Sequence, residues 1–405
     1  MPDHGNSADS LATRQHARPT LVYVHFPYCL KKCPYCDFAS YSAAREEVPH
    51  ARYADAIVRE LELRAGSLAD RRLASIFFGG GTPSLWEPGE LGRVVSAIRA
   101  RFELAVPDLE ITIECNPTSL DSDRVRAWLD AGVVRASVGV QSLNARRLAF
   151  LGRLHDVEGG LRAIETTLAA GMPRVSGDLI FGVEGGAPQS PEEAAREADA
   201  LAATGVTHVS AYGLTIEPGT QFGELARRGR LPIASDDVLA DSFAAVEATL
   251  EARGFRHYEI SNYAIPGDES RHNLGYWRGL DYLGLGCGAV GMQTRPGGDC
   301  VRYRNHPAPE RWMAAMESGQ LCTIEQEALT TIERFRERIM TGLRLDEGIE
   351  LERVGAELGI DPLGAGRSNM IEKLLARGRL ERSGTRLRVP RSARAFADGT
   401  AAELF

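Results

Sequence analysis

The sequence lacks the features that would place it in a membrane or in a low-complexity class. No stretch of its 405 residues approaches the ~20 consecutive apolar residues that span a bilayer, and residues 1–20 contain no apolar signal core. Its 47 basic and 55 acidic residues give a net charge of −8, which argues against a general polyanion binder. These absences favour a cytoplasmic globular protein of roughly two or three domains.

Lysine is scarce, and cysteine is unevenly distributed. Only three of the 47 basic residues are lysines, and two of them, Lys31 and Lys32, lie among the closely spaced Cys29, Cys33 and Cys36. The other four cysteines stand singly. In a cytosolic protein, such a cluster indicates metal ligation or redox chemistry rather than a structural disulfide. The two lysines either offset an anionic metal site or are simply solvated parts of the loop.

Strand-like and helix-like segments alternate along most of the chain. Residues 1–19 are polar and aperiodic, so we expect them to be disordered. Alternating buried strands and helices predict βαβ units and a parallel sheet. The sequence therefore predicts an α/β fold with a partial (β/α)6 barrel over residues 20–254. The predicted strands are Leu21–Phe26, Ala74–Phe78, Leu109–Glu114, Arg135–Gln141, Val175–Phe181 and His208–Leu214. The predicted helices include Glu46–Ser67, Pro88–Arg101, Asp121–Ala131, Val157–Ala170 and Pro191–Ala203.

The pattern changes after residue 254. Residues 255–328 are rich in Gly and aromatics, and we expect an irregular cap on the barrel. Residues 329–405 predict three helices and then a hairpin, an arrangement that resembles a winged-helix domain. We expect this domain to pack on the barrel without binding nucleic acid. Its predicted elements are Ile332–Leu343, Leu351–Leu358, Ser368–Arg377 and the hairpin Leu380–Val389.

The three cysteines have the spacing Cys29-x-x-x-Cys33-x-x-Cys36, directly after the first predicted strand. A zinc site usually takes four ligands from two paired knuckles, and the chain has no second Cys-x-x-Cys. A [4Fe–4S] cluster also normally takes four thiolates, so three leave one iron open. The spacing resembles the radical S-adenosylmethionine (SAM) superfamily, in which that iron chelates the amino and carboxylate groups of SAM. We therefore favour a [4Fe–4S] site over zinc or incidental buried cysteines.

Polar residues recur at the carboxyl ends of the later predicted strands. The sequence Gly79–Pro83 (GGGTP) follows the second strand, and Glu114 and Gln141 end the third and fourth. Asp178 lies within the otherwise apolar fifth strand. Singly, each has an ordinary explanation as a tight turn, a cap or a satisfied core residue. Because the active site of a parallel barrel lies where its strands end, their repetition predicts one shared site.

Together, these motifs resemble the HemN/HemW family of radical SAM proteins over residues 20 to about 400. The family contains oxygen-independent coproporphyrinogen III oxidases and heme chaperones. The resemblance rests on Tyr23, His25, Pro27, the three cysteines, GGGTP, Glu114, Gln141, Arg153, Asp178 and the segment Met340–Arg344.

The resemblance implies a division of roles within the site. Cys29, Cys33 and Cys36 would hold the cluster, with SAM on the open iron. Tyr23 and the backbone near Tyr35 would border SAM beside the cluster. The methionyl part would lie on Gly80, Gly81 and Thr82, and the remainder would be lined by Glu114, Gln141, Arg153 and Asp178. No residue is assigned a catalytic role.

Two features favour the heme-chaperone branch. The oxidases carry a fourth cysteine two positions after the third, where this chain has Phe38, and they tend to have a longer N-terminal segment. The chain also contains the HNxxYW motif, as His272–Trp277. A neutral imidazole can ligate heme iron, and Tyr276 and Trp277 offer flat apolar surfaces beside the expected barrel mouth. The alternative is a satisfied loop histidine whose aromatic neighbours merely pack the cap.

The resemblance therefore implies a cytoplasmic heme chaperone that binds heme and transfers it to acceptor apo-hemoproteins. A reductant such as flavodoxin, and peripheral membrane contact through the acceptors, are further expectations. Two alternatives remain: an oxygen-independent coproporphyrinogen III oxidase, and a radical SAM enzyme acting on an unrelated substrate.

Overall fold

The computed structural model describes residues 18–68, 70–183, 188–295, 297–364 and 366–405. Most of the segment predicted to be disordered, residues 1–17, lies outside this range. Its last two residues were wrongly included in that prediction. Arg18 and Pro19 begin the first strand, where they pair with Arg71 and Arg72.

Thirteen strands form one sheet within the described residues, and two short pairs stand apart from it. The strands are β1 (Arg18–Phe26), β2 (Tyr28–Cys29), β3 (Tyr41–Ser42), β4 (Arg71–Gly80), β5 (Glu103–Leu104), β6 (Glu110–Cys115), β7 (Arg135–Gln141), β8 (Arg174–Phe181), β9 (His208–Gly213), β10 (Arg256–Glu259), β11 (Asn262–Ala264), β12 (Asp281–Leu285), β13 (Val290–Thr294), β14 (Cys300–Asn305), β15 (Thr323–Leu329), β16 (Glu381–Ser383) and β17 (Arg386–Arg388).

The helices alternate with the strands along most of the chain. They are α1 (His50–Leu63), α2 (Pro88–Arg101), α3 (Ser122–Asp130), α4 (Ala145–Phe150), α5 (Val157–Ala169), α6 (Pro191–Ala202), α7 (Gln221–Arg227), α8 (Asp236–Ala252), α9 (Arg271–Trp277), α10 (Pro309–Glu317), α11 (Thr331–Gly342), α12 (Leu351–Leu358), α13 (Arg367–Ala376) and α14 (Ala397–Ala402). The predicted helix Glu46–Ser67 is shorter in the structure because Pro49 restricts the backbone of the preceding residue.

The centre of the sheet is the predicted open parallel barrel. Its six strands lie in the order β1, β4, β6, β7, β8 and β9, and each neighbouring pair is parallel. All six are predicted strands, and four of the five predicted helices start within one residue of their expected positions. The α/β fold is therefore confirmed.

The region predicted as an irregular cap is more regular than expected. Strand β12 pairs in parallel with β1, and β13, β14 and β15 continue the sheet in antiparallel fashion. Gly286 permits this close approach: its φ is 103°, and a Cβ there would lie 2.5 Å from the carbonyl oxygen of His25. Residues 255–328 thus extend the sheet at both edges, since β10 and β11 continue it beyond β9.

The C-terminal domain has the predicted three helices and a hairpin, followed by a short 3-10 turn and α14. Its own core contains Phe335, Ile339 and Leu374. It docks against α8 through Arg394, which contacts Glu247 and the imidazole of His257. This contact places the domain beside the open side of the barrel.

Candidate functional site

The barrel strands place apolar residues outward and polar residues inward. In β7, Ala136 and Val138 belong to the apolar core, whereas Arg135 and Ser137 line the interior. Bulky branched side chains usually fill the interior of a small parallel barrel. Here a cavity of about 1500 Å³ occupies it, against about 300–1,000 Å³ for a typical small-molecule pocket. The cavity therefore has room for more than one ligand.

The cavity extends from the cysteine loop across the barrel to the C-terminal domain. All three predicted cluster ligands, Cys29, Cys33 and Cys36, line it with free thiols. At its opposite side it reaches Phe243 of α8 and Phe396 of the C-terminal domain. One continuous space thus joins the predicted cluster site to the domain interface.

Side chains hold the cysteine loop through contacts with its backbone carbonyl groups. The Nζ of Lys32 donates hydrogen bonds to the carbonyl oxygens of Phe38 at 3.0 Å and Ser40 at 3.3 Å. On the other side, the imidazole of His25 contacts the carbonyl oxygen of Ala39 at 2.9 Å and the hydroxyl of Tyr23 at 3.1 Å. Lys32 and His25 therefore hold the shape of the loop.

The donor set fits a [4Fe–4S] cluster. Burial raises the pKa of the Cys29 thiol to about 11 and raises that of Cys36, so ionisation of these thiols needs nearby positive charge. Arg153 supplies part of it, donating to the Sγ of Cys33 at 3.5 Å, and bound iron would supply the rest. Among the described residues, no three His, Cys, Asp or Glu side chains form a site for a single metal ion.

The GGGTP loop is joined to the start of the cysteine loop. The backbone N–H of Gly81 donates to the carbonyl of Phe26 at 2.7 Å, and that of Thr82 to the carbonyl of Tyr28 at 2.9 Å. A Cβ on Gly81 would lie 2.8 Å from the Tyr28 oxygen, so only glycine fits. Gly80, Gly81 and Thr82 line the same cavity as the cysteines, and their role as the cradle for SAM stays a prediction.

The two predicted carboxyl groups also face the cavity. Glu114 accepts a hydrogen bond from the backbone N–H of Gly80 at 3.1 Å, and Asp178 accepts one from Ser137 at 3.0 Å. Burial, with the charge of Asp178, raises the pKa of Glu114 to about 8. Burial also raises the pKa of Asp178, although hydrogen bonds from Ser210 and Ser137 oppose that rise. The geometry suits hydrogen bonding to a polar ligand.

The remaining predicted SAM contacts lie on the same cavity wall. Gln141 has a φ of 69°, the one non-glycine positive φ among the described residues; such strain concentrates at functional sites. Arg153 also donates to the carbonyl of Gly139 at 3.1 Å. Tyr23 and Tyr35 complete this wall near the cysteines. The structure thus brings the predicted cluster and SAM residues around one space.

His272 occupies a different place from the one expected beside the barrel mouth. It lies in α9, is only 1% exposed, and stacks on Phe77. Its Nδ1 is 2.8 Å from the Ser75 hydroxyl, whereas its Nε2 has no hydrogen-bond partner among the described residues. The expectation of a mouth site was wrong, because Glu110 accepts the backbone N–H of His272 at 3.0 Å and holds the start of α9 against the barrel.

The two aromatic residues of the motif have separate surroundings. Tyr276 lines the cavity and contacts the His272 ring edge-on, with ring centres 4.9 Å apart. Trp277 instead lies under the guanidinium of Arg344, 5.3 Å from it. The expectation that both rings offer a flat surface to the porphyrin is therefore wrong for Trp277, which instead joins α9 to the C-terminal domain.

Sequence reasoning missed several inward-facing polar residues of the barrel. The missed residues are Arg135, Ser137 and Ser210, which line the cavity, and Glu110, which positions α9. The signal that could have revealed them is the alternation of polar and apolar residues within strands whose sequences otherwise look like continuous apolar runs.

Two protein-family models match the sequence, one within the barrel and one in the C-terminal domain. The Radical SAM superfamily matches residues 23–198, and the HemN C-terminal domain matches residues 329–396. The heme chaperone HemW of Mycobacterium tuberculosis is 37% identical over 382 residues, covering 94% of this chain and 93% of that protein. The chain belongs to the heme chaperone HemW family. The Escherichia coli HemW is 40% identical over 295 residues, covering 73% of this chain and 76% of that protein.

A solved structure shows the same fold. The radical SAM enzyme HemN of Escherichia coli, a coproporphyrinogen III oxidase, superposes with a TM-score of 0.79 at 22% identity, covering 99% of this chain and 94% of that one. The radical SAM match implies a [4Fe–4S] cluster and SAM for this member of the HemW family. No helix of the described residues is long and apolar enough to cross a membrane.

Proposed function

We propose that this protein binds heme and passes it to acceptor apo-hemoproteins, and that it carries a SAM-bound [4Fe–4S] cluster. The relationship to HemW supports the heme function. The structural observation that carries it is the orientation of His272. Its Nδ1 is held by the Ser75 hydroxyl, its Nε2 is buried without a hydrogen-bond partner among the described residues, and the residue lines the cavity.

The environment of His272 suits an axial heme ligand. Burial, with the charge of Arg135, lowers the pKa of this imidazole to about 3, so it is neutral at physiological pH and keeps a lone pair. A hydrogen bond to one ring nitrogen defines which nitrogen is free for metal binding. Phe77 stacks on the His272 ring and Tyr276 contacts it edge-on, and both aromatic side chains line the cavity.

The cysteines and the residues around them would hold the cluster and SAM. Cys29, Cys33 and Cys36 would hold the cluster, which when bound supplies an open iron and an electron for SAM. The backbone of Gly80 and Gly81 would accept the methionyl part of SAM. Hydrogen bonds between the remainder of SAM and Glu114, Gln141, Arg153 and Asp178, with the two carboxylates accepting, would orient it. Cytoplasmic location, flavodoxin as reductant and membrane contact through acceptors stay predictions.

Coproporphyrinogen III oxidation is the second candidate, favoured by the fold shared with HemN. Phe38, at the position where the oxidases carry a fourth cysteine, lines the mouth of the cavity and is 55% exposed. A thiol is therefore replaced by an apolar ring beside the predicted cluster, which favours the chaperone proposal.

The test compares heme binding with porphyrinogen turnover in one anaerobic preparation of the full-length protein. Heme titration should give a Soret band, and incubation with coproporphyrinogen, SAM and reductant should give no protoporphyrinogen. Loss of the axial ligand in His272→Ala should shift that band and weaken binding roughly tenfold or more. The control His306→Ala changes a histidine outside the cavity wall. Turnover of coproporphyrinogen without heme binding would replace the proposal with the oxidase.

A further inference from the structure

Arg135 is a buried cation without a bonded counterion in the part of the chain that the structure describes. Its side chain is 2% exposed and lines the cavity. Among the described residues it forms no ion pair, and its Nε has no hydrogen-bond partner. A buried charge left without a partner is strongly destabilising. Its presence therefore requires an explanation.

Other buried arginines of the barrel are neutralised. Arg71 contacts Asp281, and Arg147 pairs with Glu193 and Glu197. Arg174, the register neighbour of Arg135 on β8, donates to Glu110 at 3.0 Å. The lack of a counterion is thus a property of the cavity position rather than of buried arginine in this protein.

The nearest cavity carboxyl groups do not contact Arg135. Asp178 accepts hydrogen bonds from Ser137 and Ser176, and Glu114 accepts one from Gly80. Both feel the positive charge of Arg135, but neither forms an ion pair with it. The guanidinium is consequently available to an anion within the cavity.

The position of Arg135 separates it from the predicted SAM carboxylate. Arg135 begins β7, whereas Gly139, whose carbonyl Arg153 contacts, lies four residues further along the strand. At about 3.3 Å per residue these positions are roughly 13 Å apart. The amino acid part of SAM is expected at the cysteine end, so it would not reach Arg135.

We infer that Arg135 is the carboxylate receptor of this cavity and that its partner is a propionate group of heme. The choice of heme rests on the function proposed above. A planar guanidinium matches a carboxylate through two parallel hydrogen bonds. His272, which lines the same cavity and has a buried Nε2 without a hydrogen-bond partner among the described residues, would bind the iron while Arg135 fixes the orientation of the porphyrin.

The experiment distinguishes binding of the porphyrin ring from binding of its carboxylate groups. Full-length protein is titrated with heme and with heme dimethyl ester, and the Soret absorbance is followed. Arg135→Gln should weaken heme binding roughly 10- to 100-fold and leave binding of the ester unchanged, while Arg135→Lys should retain part of the affinity. The matched control is Arg147→Gln, a buried arginine outside the cavity, which should not alter the ratio of the two affinities.

Equal losses for heme and ester, or unchanged heme binding, would overturn the carboxylate assignment and leave the heme function standing. A loss confined to SAM binding, measured in parallel, would also overturn it. Should Arg135→Gln fail to fold, the wild-type protein decides the matter, because it should prefer the free acid to the ester and the lack of a preference contradicts the inference. A wild type that binds neither ligand would overturn the heme function and this inference with it.

Discussion

Burial and hydrogen bonding oppose each other at the two cavity carboxyl groups. Glu114 accepts one backbone hydrogen bond, and burial raises its pKa to about 8. Asp178 lies among three serine hydroxyls, which stabilise its charged form against the same effect. At the residue scale, the cavity therefore combines a readily protonated carboxyl group on β6 with a carboxylate on β8 whose charged form is stabilised by hydrogen bonds, and β7 lies between the two strands.

Glu114 should make stability depend on pH in the protein without SAM. Because its pKa is higher in the folded protein than its ordinary value of 4.5, its stabilising effect is complete below about pH 4.5 and is lost as the pH rises through about 8. Relative to Glu114→Gln, the wild type should lose roughly 1–4 kcal/mol of unfolding free energy between about pH 5 and pH 8. Urea unfolding measures this difference. The control Glu165→Gln, at an exposed position, should show the same pH dependence of unfolding free energy as the wild type. If the unfolding free energies of wild type and Glu114→Gln changed in parallel with pH, the prediction would be contradicted.

A second prediction at the residue scale concerns the cysteine cluster. In Cys36→Ala, a cube held by two thiolates would leave two irons exposed, so most of the iron and its visible absorbance should be lost after anaerobic reconstitution. Cys322→Ala provides the control, since Cys322 is similarly half-buried but lies outside the cavity. Full iron content in Cys36→Ala would contradict the assignment.

At the scale of secondary-structure elements, α9 depends on a glutamate from another strand. Glu110, fully buried in β6, accepts the backbone N–H groups of Arg271 at 3.1 Å and His272 at 3.0 Å, together with the guanidinium of Arg174. A helix of seven residues is too short to be stable alone. The position of His272 is thus set by Glu110 and by packing rather than by helix propensity.

Glu110→Gln should therefore affect both stability and the heme site. Removing one partner from a buried ion pair typically costs about 3–5 kcal/mol, which urea unfolding would detect. If the folded variant binds heme, its Soret band should be shifted, because α9 carries His272. The exposed first-turn glutamate of α12 offers a control, and Glu352→Gln should change stability by less than about 0.5 kcal/mol. A variant as stable as wild type with an unaltered spectrum would show that Glu110 does not position the helix.

At the scale of the whole molecule, the C-terminal domain completes one side of the cavity. Arg394 contacts Glu247 and His257 of the main domain and Asp346 of its own domain. The backbone N–H of Asp346 also donates to the carbonyl of Tyr258 at 3.0 Å. Arg394 and Glu247 also line the cavity, so these two residues belong both to the domain interface and to the cavity wall.

Arg394→Met should loosen this interface, because it leaves Glu247 and Asp346 without their shared cation. Amide hydrogen exchange in α11, α12 and α13 should accelerate by roughly tenfold or more, while exchange in α2 should be unaffected. The pair of Arg382 with Glu372 is solvent-exposed, so Arg382→Met serves as the control and should have little effect. Equal protection of the C-terminal domain in wild type and Arg394→Met would refute the docking role.

The parallel core and the cysteine end of the site could be predicted from local sequence patterns. Short apolar runs and the helix-like segments between them are local signals, and the carboxyl ends of parallel strands meet at one edge. That is why Cys29, Gly81 and Glu114 could be assigned to one site before their contacts were known.

Three features depend on long-range contacts: the sheet extension, the depth of His272, and the lack of an ion pair at Arg135 among the described residues. Strand β12 pairs with β1 across more than 250 residues, and Glu110 holds α9 from 162 residues away. Neither pairing has a local signature. Whether an arginine is neutralised depends on which side chains the folded strands bring opposite it: Arg174 meets Glu110, whereas Arg135 one strand away faces the cavity. Charge compensation is a property of three-dimensional neighbours, and sequence spacing does not contain it.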